Sequence, residues 1–106
     1  MPKYLLEASY TAEGTKGLLR EGGSSRRKKV EEMVEGLHGK LEAFYYAFGT
    51  SDVFATVDMP DAVTAAALSL AVNQSGVVNL KTHVLMTPEE MDQASKKSVN
   101  YRAPGK

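Results

Sequence analysis

A pair of strands flanked by two helices limits the fold of this chain more than any other feature. Residues 40–48, KLEAFYYAF, and 52–58, DVFATVD, are rich in aromatic and β-branched residues, with only Gly49, Thr50 and Ser51 between them. A short polar break between two such runs predicts a β-hairpin. Before the hairpin, Val30, Met33, Val34 and Leu37 recur at the spacing of one helix face. After it, Val63, Ala66, Ala67, Leu70 and Ala71 predict the apolar face of a second helix. Pro60 in its first turn and Asp61 open that helix, and Gly76 stops it.

One more strand at each end completes the pattern. Residues 3–10, KYLLEASY, alternate, with Tyr4, Leu6, Ala8 and Tyr10 on one side. Residues 77–86, VVNLKTHVLM, form the last strand. Thr11 caps a short helical piece that reaches Glu21, and Gly22 and Gly23 break it. Thr87, Pro88 and Glu90 are the start signal of a final helix ending near Ser98. The order β-α-β-β-α-β plus a C-terminal helix predicts an α+β, ferredoxin-like domain, with a four-stranded antiparallel sheet carrying its helices on one face. Residues 1–98 form this single domain. Residues 99–106, VNYRAPGK, form a C-terminal arm expected to lie against the protein or an adjacent subunit through Tyr101.

Composition excludes several classes of function. Thirteen basic and 13 acidic residues cancel, which argues against a nucleic-acid partner. The chain has no cysteine, so disulfides and thiolate metal sites are ruled out, and a reducing cytoplasm suits it. No apolar run is long enough for a membrane span. The expectation is a soluble cytoplasmic protein.

Strict alternation turns Ala8, Ala43, Ala47, Val53, Ala55, Val57, Leu80 and Val84 toward the helices. It leaves Leu5, Glu7, Ser9, Glu42, Phe44, Tyr46, Phe48, Phe54, Thr56, Asn79, Lys81, His83 and Leu85 on the open face. The aromatic residues are too large a patch to leave wet. Glu7, Lys81 and His83 are too polar for a dry core. Two copies stacking their open faces meet both demands. The aromatic side chains join across the interface and the polar ones line a pocket between subunits. This is the dimeric α+β-barrel arrangement. A plain Glu7–Lys81 cross-strand pair at an oligomer interface is the simpler alternative.

The hairpin FGTSDVFATVDMPD, the Ala-rich helix behind it and VVNLKTHVLMTPEE resemble the GYD-domain family, small bacterial and archaeal proteins of about this length. The resemblance runs from KYLLEASYT to the TPEE helix. It implies a Gly-x-Tyr-Asp signature at the hairpin turn, matched here by Gly49 and Asp52, with Ser51 at the tyrosine position. It also implies kinship in fold with dimeric α+β barrels, which include ligand-sensing domains and cofactor-free monooxygenases. The family itself has no established general activity.

His83 is the best acid–base candidate, because imidazole titrates near neutrality. A satisfied interface histidine is the plainer reading. His38, in LHGK at a helix end, suits the negative pole of the dipole. Asp52 reads as a turn residue. No HxH or HExxH spacing suggests a metal site within the chain, and no cofactor is expected. The run Arg26, Arg27, Lys28 and Lys29 places cations near the start of a helix, where acidic residues are usual. Lys28 reads as a solvated helix cation. Arg26 and Arg27 flank the buried stripe, and three readings stand: solvation, a subunit contact, or a clamp on a ligand anion.

These residues favour a small homo-oligomer that binds a small molecule between subunits, with Glu7, Tyr46, Phe54, Lys81, His83, Arg26 and Arg27 as the candidate ligand set. The alternatives are a cofactor-free monooxygenase or isomerase, with His83 as acid–base and Tyr46 as hydrogen-bond donor, and a structural assembly subunit.

Overall fold

Residues 1–106 are described by a computed structural model. The elements are β1 (Lys3–Tyr10), α1 (Ala12–Glu21), α2 (Gly23–Gly36), β2 (Lys40–Tyr46), β3 (Val53–Asp58), α3 (Ala62–Gln74), β4 (Val78–Leu85) and α4 (Pro88–Ser95). Thr11 caps α1, its hydroxyl accepting from the Gly14 N–H at 3.2 Å. Gly22 then turns the chain at φ 93°, a left-handed value glycine adopts freely, so α1 and α2 form two helices with a sharp corner. Thr87 and Glu90 form the expected capping box at α4.

All four strands pair antiparallel in the order β2-β3-β1-β4, an arrangement consistent with a ferredoxin-like fold. The core lies between the sheet and the helices. Tyr4 and Leu6 of β1 and Ala55 and Val57 of β3 meet Val34 of α2, Met59, and Ala65 and Leu68 of α3. Val30, Met33 and Leu37 of the α2 stripe pack against this cluster.

Two expectations about faces are corrected. In β2 the register shifts between Leu41 and Ala43, so one extra residue reverses the alternation. Phe44 then pairs with Ala55 and Tyr46 with Val53, which turns both rings to the helix side. There they meet edge to face with centroids 5.2 Å apart. Ala43 and Tyr45 take the open face instead, and Phe48 lies exposed beyond the strand. In α3 the buried side carries Ala65 and Leu68, with Val72 packed against the core. Val63 and Leu70, expected inside, are 80% and 72% exposed. Apolar residues fall on every side of α3, so its spacing carries no phase. Pro60 precedes the helix rather than entering it, because Asp61 is the N-cap and accepts from the Thr64 N–H at 2.7 Å.

The C-terminal part stands away from the body. Every residue of α4 is exposed, as are Val99 and Tyr101, so the arm does not lie against its own domain. No helix is long and apolar enough to cross a membrane.

Candidate functional site

The open sheet face gathers four of the expected residues. β1 is central, so Glu7 has Phe54 of β3 beside it on one flank and Lys81 of β4 on the other. His83 sits one pair further along, opposite Leu5, and reaches diagonally to Glu7, with Nε2 3.1 Å from Oε1. Tyr45 extends the row beyond Phe54 and is exposed.

A fifth residue, Ser51, completes the cluster. It is only 6% exposed, and its hydroxyl donates to Glu7 Oε2 at 2.6 Å. Both carboxylate oxygens of Glu7 are therefore engaged. The Ser51 hydrogen bond, then the His83 contact, hold the Glu7 carboxyl below the usual carboxylate range, and the positive charge of Lys81 acts in the same direction. Lys81 itself makes no ion pair within the chain. The acceptor of the Ser51 proton is a carboxylate and not an imidazole, so the serine is oriented as a support for Glu7 rather than as an activated nucleophile. The sequence signal for Ser51 was its place in the signature turn, where it stands at the tyrosine position.

Asp52 shows why that turn is rigid. Its Oδ2 accepts from the Tyr10 N–H at 2.8 Å, and its own N–H donates to the Ala8 carbonyl at 2.8 Å. The turn is thus pinned to the end of β1, which sets Ser51 over Glu7. A second charged group lies at the far end of the face. Lys3 Nζ is 2.9 Å from Asp58 Oδ1 and also contacts Glu42. Glu42, then Asp58, raise the Lys3 ammonium above its ordinary value.

Three expected site residues lie elsewhere. The Tyr46 hydroxyl donates to the Gly23 carbonyl at 3.0 Å on the helix side, so it is not a donor beside His83. Arg26 is on that side too, and Arg27 is exposed on α2 near Phe44 and Tyr46. The anion that answers the Arg-Arg-Lys-Lys run is Glu21 at the end of α1. Lys29 Nζ lies 2.9 Å from its Oε1 and Arg26 3.9 Å from its Oε2. His38 occupies the left-handed region at φ 63°, directly after α2. No three His, Cys, Asp or Glu side chains are grouped to hold a metal ion.

Comparison with known proteins gives one match. A family model described as GYD domain covers residues 4–95. No curated protein and no solved structure matches the chain.

Proposed function

The chain belongs to the GYD-domain family, and from that premise we propose that it acts as a homo-oligomer binding a small ligand between subunits on the open sheet face. In this reading two ferredoxin-like domains stack their sheets as a dimeric α+β barrel. The observation that carries it is the Ser51–Glu7–His83 cluster, with Lys81 beside it, on a sheet face that no helix covers. A hydrogen-bonded carboxylate with a free ammonium next to it is costly ornament on a bare surface and useful in a pocket. Phe54, Tyr45 and Leu5 supply the apolar surround that a second copy would cover.

Lys81 and the remaining imidazole nitrogen of His83 are the groups free to meet a ligand, because Glu7 is already occupied by its neighbours. A cysteine-free composition supports a reducing, cytoplasmic setting. The catalytic alternative loses its proposed donor, since Tyr46 faces the helices.

Native mass spectrometry of the gently purified protein tests the reading. The expected spectrum shows a dimer or larger species carrying a small-molecule mass, and His83→Ala gives the same assembly without that mass. An oligomer free of ligand would favour a structural assembly subunit. A bare monomer would remove the site altogether.

A further inference from the structure

The helix side of the sheet holds a second place for a ligand. α2 packs on β2 and α3 packs on β4, and both contribute to the core cluster. Between them lies an apolar recess of about 50 Å³, with Leu6, Ala8 and Ala55 in its floor and Val30, Met33 and Leu68 in its walls. Tyr10, Arg26, Met33, Val72 and Val78 also line a wider cleft of about 480 Å³, whose outer wall is α1 at Gly14, Gly17 and Leu18. The recess and the cleft therefore lie side by side and share these residues as a wall. The cleft alone has the volume of a small-molecule site, and its lining mixes apolar residues with Glu13, Arg20, Glu21 and Arg26.

Arg26 is the unusual residue at this junction. Its side chain is 33% exposed, yet the guanidinium makes no hydrogen bond within the chain. The nearest carboxylate oxygen, Glu21 Oε2, is 3.9 Å away, beyond hydrogen-bond range. Lys29 holds the other oxygen of Glu21 at 2.9 Å, so Glu21 is already neutralised. A guanidinium presents a planar fork of donors and is best satisfied by a carboxylate that accepts two of them. Tyr10 lines the same junction, and burial pushes its phenol up. Glu13 and Glu21 border the mouth, together with Arg20. A carboxylate on Arg26 would lie near Glu21, whose charge Lys29 offsets, whereas a polyanion would meet Glu13 as well.

We propose that the seam between α2 and α3 binds an amphipathic monocarboxylate, its apolar chain in the recess and cleft and its carboxylate on Arg26 beside Tyr10. This site is separate from the open face and does not depend on a second subunit.

Decanoate, with decanol as its uncharged counterpart, is the probe. Both are titrated into the full-length protein by calorimetry below their aggregation limits. Decanoate is expected to bind saturably, and decanol more weakly. Arg26→Gln should weaken decanoate by about tenfold or more, the loss of a charge-assisted hydrogen-bonded pair. It should leave decanol unchanged. Arg27→Gln and His83→Ala should leave decanoate binding intact, which separates this site from the open face. Should Arg26→Gln fail to fold, Ala71→Trp decides, because Ala71 borders the cleft and an indole there should block decanoate. Absence of saturable decanoate binding, equal affinity for decanol, or binding that survives these changes would overturn the proposal.

Discussion

The Ser51 hydrogen bond, then the His83 contact, hold the Glu7 carboxyl below its ordinary range. The carboxyl titrates below its ordinary value of 4.5 in the folded chain. Folding therefore gains from this carboxylate above that value and loses the gain as pH falls through the lower folded value. Ser51→Ala removes the largest cause of the shift, so the folded value rises toward 4.5 and the gain shrinks. The acid unfolding transition, followed by circular dichroism, should move to higher pH in Ser51→Ala, with little change at neutral pH in the pattern of secondary structure. An unchanged acid transition would mean that the Ser51 contact does not bias Glu7. Gly39 allows a second test. A Cβ at this position would lie 2.5 Å from the Asp58 carbonyl and 2.8 Å from Met59 Sδ. Gly39→Ala should cost about 1–3 kcal/mol in urea denaturation, through overpacking where α2 passes into β2.

Among the elements, β1 and β3 were readable from alternation because each obeys it without a break, and β4 obeys it as far as Val84, which was expected inside and is 70% exposed. Tyr4, Leu6 and Ala8 are buried, and so are Val53, Ala55 and Val57, as period two requires. β2 defeated the same rule. Its bulge leaves no clear mark in KLEAFYYAF, where large apolar residues stand on both sides of the alternation. Tyr46 was consequently read onto the wrong face. α3 failed for a different reason, since a helix apolar all round has no preferred side in its sequence. Its true orientation makes a direct prediction. Leu68→Ala should destabilise by about 2–5 kcal/mol, as for a buried leucine, while Leu70→Gln should change stability little. Thermal or urea unfolding separates the two, and a large loss at Leu70 would mean that a partner covers that face. The site was legible only in part. Glu7, Lys81 and His83 came from strand parity, whereas Ser51 depends on how the turn folds back over β1, which no local pattern encodes.

The whole molecule is a sheet with helices on one side, a bare polar and aromatic face on the other, and a C-terminal segment projecting from the body. Its extents of 55 × 33 × 23 Å reflect that projection. Because every residue of α4, and every residue of the arm but Ala103, is exposed, deleting residues 99–106 should leave the domain's secondary structure and melting temperature unchanged in dilute monomer. If the arm reaches a neighbouring subunit, the same deletion weakens the oligomer, and the mass in solution shows it. The bare face is the stronger reason to expect a partner. Phe54 lies at its middle, next to Glu7. Phe54→Lys gives that carboxylate a cross-strand partner, so the single domain should keep its fold. In a stacked pair it places a charge in the interface, which is strongly unfavourable. Sedimentation velocity of the wild type and Phe54→Lys is the most direct measurement. Stacked open faces predict a dimer or larger wild-type species and a folded Phe54→Lys monomer. A well-folded wild-type monomer at micromolar concentration, or an assembly that Phe54→Lys leaves intact, would contradict it.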